Sequence, residues 1–311
     1  MKKKALRKDF YMEIRKSMGR FLSIFFIVAI GCAFFAGIRS SEPDMRYSGD
    51  AYFDRKNLMD LQVISTMGLT DEDVEAIEKL DGIERAEAGY SVDALCTEGD
   101  NQIVMHVMSL LPSMNQIQVE HGRLPEKSDE CVVDADFLSK STLKIGDRVT
   151  LSSGTDKPIT DSLKEDTFTI VGSVSSPCYI GFQRGSTTIG SGNISAFLCV
   201  PEESFCMEVY TEIYAQVKGA EKLTAFTEQY DQRIDSVMKE VEAIKKEREK
   251  ARYDEIVAEA SEKLADAEKE VMDAETELEQ GKTEAQEKLA AAKEKLENAQ
   301  KELEQAKKEL A

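Results

Sequence analysis

The stretch that decides the fold is "RFLSIFFIVAIGCAFFAGIR", Arg20 to Arg39. Phe21 to Ile38 is an uncharged run of 18 residues, about 27 Å long as a helix against a hydrocarbon core of about 30 Å. It crosses a bilayer with little tilt. A cleavable signal has a shorter apolar region, about 7–15 residues, followed by a small-x-small site and polar sequence. "FFAGIRSSE" fits that pattern poorly. "AIGC", ending at Cys32, resembles a lipobox, but "AFFAGI" continues the apolar run where a mature lipoprotein turns polar. The run reads as a membrane helix over residues 21–38, with cleaved and lipidated forms as the alternatives.

The flanks set the orientation. Lys2, Lys3, Lys4, Arg7, Lys8, Arg15, Lys16 and Arg20 precede the run against only Asp9 and Glu13, whereas Glu42, Asp44 and Asp50 offset Arg39 and Arg46 after it. The positive-inside bias places the N-terminus in the cytoplasm and the bulk of the chain outside. Within residues 1–20, Phe10, Ile14 and Met18 recur at four-residue spacing among basic residues, the pattern of an amphipathic helix on the membrane surface. A merely basic tail is the alternative. In the span itself, Ala29, Ala33 and Gly37 form a small-residue face suited to helix packing, unless that face meets lipid.

The formal net charge is −19 although the N-terminal arm is positive. The outer part is therefore strongly acidic, which argues against a nucleic-acid partner. Five of the six cysteines follow the span, Cys96, Cys131, Cys178, Cys199 and Cys206. An odd number at these spacings matches no zinc or disulfide framework, and most read as small buried hydrophobes.

All six prolines precede residue 230, and beyond it Gly281 alone interrupts an Ala, Glu, Lys and Leu-rich tract. A globular domain over 44–230 and a coiled-coil helix over 231–311 follow from that shift. In the first, "LQVIS" reads as a strand. "LTDEDVEAIEKL" reads as a helix capped by Thr70, with Asp73 in its first turn and Gly82 at its end. "GIERAEAGYSVDALC" and "NQIVMHVMSL" supply further strands, and "ECVVDADFL", "GDRVTLSS", "DTFTIVGSVSS" and "AFLCVP" are β-prone. The fold class expected is α+β: one membrane helix, a mixed α/β domain of short strands, and a long C-terminal helix.

No catalytic, cofactor-binding or metal-binding constellation stands out. His106 lies in an alternating apolar run and His121 in the loop "EHGRLP". "GSTTIGSG" lacks the strand-to-helix context of an anion-binding loop, and "QGKT" at 280–283 lacks the first glycine of a phosphate loop. Neither nucleotide hydrolysis nor any other enzymatic reaction is expected of this chain.

The C-terminal tract carries a seam. Leu289, Leu296, Leu303 and Leu310 recur every seven residues with Ala between them, and Leu264, Val271 and Leu278 keep the spacing upstream. Close helix pairing is expected, with a single exposed helix as the alternative. Two four-residue steps adjoin at Gly281, Ala285 and Leu289, a stutter that locally unwinds a supercoil. A continuous helix over this tract spans about 120 Å. The tract ends in "KKELA" without a stop signal, as one half of an antiparallel hairpin or a parallel dimer would.

Several segments together resemble the FtsX-like (MacB-like) permeases of ABC transporters, in particular large Gram-positive members. They are "LRKDFYMEIRKSMGRFLSIFFIVAIGCAFFAGIRSSEPDM", "YFDRKNLMDLQVISTMGLTDEDVEAIEKLDGIERAEAGY", "GRLPEKSDECVVD", "LKIGDRVTL" and "FTIVGSV". The resemblance implies a bacterial plasma-membrane protein whose first membrane helix leads to an extracytoplasmic domain. It implies a separate ABC ATPase subunit as partner, an extracytoplasmic client protein, and a second permease copy or a missing C-terminal half that completes the pathway. In this family three further helices follow, and no second hydrophobic span appears here before Ala311. The rival reading is a self-contained single-span scaffold or spacer that dimerises through its coiled coil.

Overall fold

The computed structural model describes residues 2–98, 101–181 and 183–309. The chain opens with α1 (Lys2–Lys16) and α2 (Met18–Arg55), separated at Ser17. α2 contains the apolar run with its side chains bare: Ile27, Phe34 and Phe35 are each more than two-thirds exposed. The helix does not end with that run. It continues through Pro43 to Arg55, although Pro43 has no N–H to give the carbonyl of Arg39. Just before it, the Ser40 and Ser41 hydroxyls donate to the Gly37 carbonyl at 3.1 and 2.9 Å.

The strand region folds as two sheets. The smaller joins β1 (Leu61–Leu69), β10 (Tyr210–Val217) and β2 (Ile83–Gly89) in the order β1-β10-β2, all antiparallel. Helix α3 (Asp71–Glu78) sits between β1 and β2, and its cap is as expected: the Asp73 carboxylate accepts the Thr70 N–H at 2.9 Å. The helix covers the sheet through Ile77, beside Ile213 and Ala215.

The larger sheet holds β3 (Ser91–Glu98), β4 (Asn101–Ser109), β5 (Gln118–Gly122), β6 (Glu130–Asp134), β7 (Arg148–Ser152), β8 (Thr167–Ser175) and β9 (Ala196–Val200). Its order is β5-β8-β6-β9-β4-β3-β7, and β7 also pairs with β8. That last pairing closes six strands into a ring, with β5 attached to the far half of β8. Phe168, Met105, Leu198 and Leu163 fill the interior. Val132, Val174, Phe197 and Cys199 form a second cluster, so β6 and β9 are buried on both faces; β9 reads as an unbroken apolar run, and β6 as Cys131–Val133 between two buried carboxylates.

Three sequence expectations need correction. "GIERAEAGYSVDALC" is two strands that part at Tyr90 and join different sheets, because Tyr90 turns between them and packs on Phe205 and Tyr210 at ring distances of 5.2 and 5.0 Å. "ECVVDADFL" is a strand followed by α4 (Ala135–Lys140), since the Asp134 carboxylate accepts the Asp136 N–H at 3.0 Å and caps a helix. His121 lies in β5 rather than a loop; its polar, fully exposed strand hides the period-2 signal.

"GRLP" and "FTIVG" meet at one place. A side chain at Gly172 would lie 2.5 Å from the Arg123 carbonyl, and one at Gly122 only 2.3 Å from that of Val171. Glycine at both lets β5 and its exit lie on β8. Arg123 then reaches Glu130 with two bonds of 2.7 Å, closing the loop into β6, while the Glu126 N–H donates to the same carboxylate at 2.9 Å.

Helix α5 (Glu228–Glu309) begins at Thr227, whose hydroxyl accepts the Tyr230 N–H at 3.3 Å. Ile234, Val237, Val241 and Ile244 bury against the small sheet. Gly82 permits this: any side chain there would meet Val237 at 2.5 Å. The chain divides into two compact units after Lys245. In the second, the helix runs without interruption through Gly281. Leu310 lies outside the described residues.

The Arg123 bond holds the Glu130 carboxyl down at about 2 against an ordinary 4.5. Its contribution to stability is thus in place above 4.5 and is lost as pH falls towards 2. In Arg123→Ala, an NMR titration of Glu130 should move back towards 4.5; a curve that stays put would mean that the Glu126 N–H alone sets it.

Candidate functional site at the foot of the apolar helix

The last turns of α2 are the most densely tied part of that helix. Phe53 packs on Phe226 with ring centroids 5.9 Å apart, and Asp50 accepts the Ala225 N–H at 2.6 Å. The helix stops because Asn57 adopts a left-handed backbone, φ 48°, which asparagine tolerates better than most residues. That turn delivers the chain to the loop after β4. Asn57 donates its side-chain amide to the Ser113 carbonyl at 3.0 Å and accepts the Asn115 N–H at 2.9 Å. The Asn115 side chain accepts the Met59 N–H at 2.9 Å in return. The two asparagines, both left-handed, clasp the exit of α2 to the larger sheet's loop.

Three residues on, Asp60 makes the second tie. One carboxylate oxygen accepts the Val217 N–H at 2.7 Å and the other the Tyr230 hydroxyl at 2.5 Å, while its own N–H donates to Ala215 at 2.9 Å. One side chain thereby joins the exit of α2, the central strand of the small sheet and the first turn of α5. Around it opens a cleft of about 590 Å³ lined by Asp54, Glu84, Glu221 and Asp231 as well, with Arg85 as the cation. Burial pushes the Asp60 carboxyl up, and the bonds from Tyr230 and Val217 offset part of that. Burial also raises the Tyr230 hydroxyl, helped by Asp60.

The two sheets meet through polar side chains. Glu212 on β10 accepts the Ser91 hydroxyl at 2.6 Å, the Gln62 amide at 2.9 Å and the Tyr214 hydroxyl. Glu87 on β2 accepts the Ser113 hydroxyl and the N–H groups of Ser113 and Met114 at 3.2 and 3.1 Å. These carboxylates hold backbone and hydroxyl donors. Among the described residues no group of three or more His, Cys, Asp or Glu has the geometry to hold a metal.

The residues expected from sequence lie elsewhere. Phe10 and Ile14 are on α1 and Met18 opens α2; Ala29, Ala33 and Gly37 run along α2; none lines the cleft. Leu264, Val271, Leu278, Leu289, Leu296 and Leu303 lie on α5 with about three-fifths of their surface exposed. His106 does have a carboxylate neighbour that the sequence reading missed. Its Nδ1 stands 2.6 Å from Asp93 across the β3–β4 pair. The asparagines and Asp60 were also missed: their partners are 56 to 170 residues away in sequence, beyond any local pattern.

A raised carboxyl contributes stability below its ordinary value, 3.8 for Asp60, and that contribution is lost as pH rises through the raised value. Asp60→Asn keeps an acceptor and should flatten this dependence. Asp60→Ala strands the Val217 N–H and Tyr230 hydroxyl and should cost about 1–3 kcal/mol. Denaturant unfolding of the detergent-solubilised chain at pH 7 and pH 4 reads both; equal stability of Asp60→Ala and the parent would show that the tie carries no load.

The family model for the MacB-like periplasmic core domain matches residues 21–233, about two-thirds of the chain. Two solved structures are similar in part. One is the extracellular domain of the noncanonic ABC-type transporter YknZ from Gram-positive bacteria, at 12% identity over 55% of this chain and 85% of that one, with a TM-score of 0.33. The other is the periplasmic region of MacB from Actinobacillus actinomycetemcomitans, at 12% identity over 58% and 75%, also with a TM-score of 0.33. The comparison with curated proteins finds no match. On the family match, the chain belongs to the MacB-like periplasmic core domain family and is an ABC transporter permease-type protein.

Proposed function

We propose that this chain is the N-terminal part of an FtsX/MacB-like permease subunit, and that it relays motion driven by a separate ABC ATPase to its outer domain and coiled coil. Residues 1–20 form the cytoplasmic arm, with Phe10, Ile14 and Met18 against the inner membrane surface near the ATPase. Residues 21–38 span the bacterial plasma membrane, and Ala29, Ala33 and Gly37 pack on other helices. Residues 44–230 form the extracytoplasmic domain, and residues 231–311 are a coiled coil that engages a client protein.

The observation that carries this reading is the joint at the end of α2. The helix passes from the apolar run to Arg55 unbroken, so a tilt or shift at one end reaches the other with little loss. Its last turn is tied by Asn57 and Asn115 to the larger sheet's loop, and by Asp60 to both β10 and α5. A displacement of the span therefore acts on the sheets and on the root of the long helix together. Catalysis of ATP hydrolysis belongs to the partner.

Membranes of the source cell carrying Phe226→Cys in a Cys32→Ser, Cys206→Ser background test the relay. The Phe226 side chain is 64% exposed beside Phe53. Its rate of maleimide labelling should change several-fold between hydrolysable ATP and a non-hydrolysable analogue, and Asn57→Ala should blunt the change. A labelling rate indifferent to ATP would favour the self-contained single-span scaffold.

A further inference from the structure

We propose that the helix beyond residue 245 pairs antiparallel with the same helix of a second copy of this chain, about a two-fold axis at residues 281 and 282. Its seam is unpartnered: Leu264, Leu296 and Leu303 are 62%, 63% and 60% exposed. What covers it is written in the order of large and small residues. On both sides of Gly281 the seam alternates large and small, as Leu264, Ala267, Val271 and Ala274 upstream and Leu289, Ala292, Leu296 and Ala299 downstream, and at the centre two small residues, Gly281 and Ala285, adjoin. That doubled small step makes the upstream order complementary to the downstream order read in reverse.

Laid antiparallel about that axis, Leu264 faces Ala299, Val271 faces Ala292 and Ala274 faces Leu289, with Gly281 opposite Lys282 at the axis and Tyr253 opposite Leu310 at the far end. From Val257 opposite Ala306 to Leu278 opposite Ala285, each layer then joins one large and one small side chain, which fills the seam evenly and brings the backbones close. A parallel pair in register would instead alternate layers of two large residues with layers of two alanines.

Charges beside the seam choose the same arrangement. On one edge Lys263 meets Glu302, Glu270 meets Lys295 and Glu277 meets Lys288. On the other, Glu268 meets Lys293 and Asp254 meets Lys307. No like charges meet in this register. The parallel register sets three attractive pairs, Lys263 with Glu268, Glu277 with Lys282 and Glu302 with Lys307, against two repulsive ones, Glu270 with Glu275 and Lys288 with Lys293, and is the less favourable. The same complementarity would suit one chain folded back at Gly281, but the helix is continuous there. The helix of a second copy supplies the matching half. The pairing requires nothing of the ATPase-driven relay.

Two differently tagged full-length chains, both Cys32→Ser and Cys206→Ser to remove the exposed thiols, are co-expressed, one with Leu264→Cys and the other with Ala299→Cys. Oxidation in membranes by copper phenanthroline should give a disulfide-linked dimer carrying both tags, with none from either variant alone. Glu270→Lys with Glu277→Lys in both chains should abolish the link, and adding Lys288→Glu with Lys295→Glu should restore it. A Leu264→Cys chain that links to itself, a doubly substituted chain that links only internally, absence of any link, or failure of the charge swap to restore it would each overturn the pairing.

Discussion

The ties made by Asp60 join the exit of α2, the centre of the small sheet and the start of α5. Its carboxylate accepts from a β10 amide and from Tyr230 at the start of α5, and its own amide bonds β10 again. Three elements distant in sequence converge because one half-buried anion needs donors and the fold supplies two. The asparagine clasp immediately before it fixes the angle at which α2 arrives. Without a left-handed residue at position 57 the helix would overrun the joint, and the loop at 113–116 would lose its backbone partners.

The larger sheet gives this joint something rigid to act on. Ring closure by β7 leaves the six strands with few free edges, and the interior is packed from Phe168 to Leu198. The segments that carry the family resemblance serve that closure. Gly122 and Gly172 let two strands touch, and the Arg123–Glu130 pair holds the loop between β5 and β6. Their role is architectural, which is why they look like motifs yet bring no chemistry together.

Residue by residue, the sequence was most legible where the signal is local. The cap made by Thr70 and Asp73, the apolar β9 and the long helix α5 all follow from neighbours close along the chain. It was least legible at β5 and β10. β5 is fully exposed and lacks alternation, and β10 holds Glu212 buried among hydroxyls and amides that come from other strands. The assignment of β2 and β3 to different sheets rests on how Tyr90 packs, and no spacing rule encodes that.

By itself, then, the sequence determined the candidate span, the capped and periodic elements, the family, and the large-and-small order of the C-terminal seam. All of these depend on contacts along one segment or on its composition. Only the tertiary structure decided that α2 runs on to Arg55, that six strands close into a ring, and that Asn57, Asn115, Asp60 and Tyr230 make one joint. Apart from the length of α2, those features are long-range hydrogen bonds and strand pairings. Each exists because a buried donor or acceptor must find a partner, and which partner it finds is set by the packing of the whole domain.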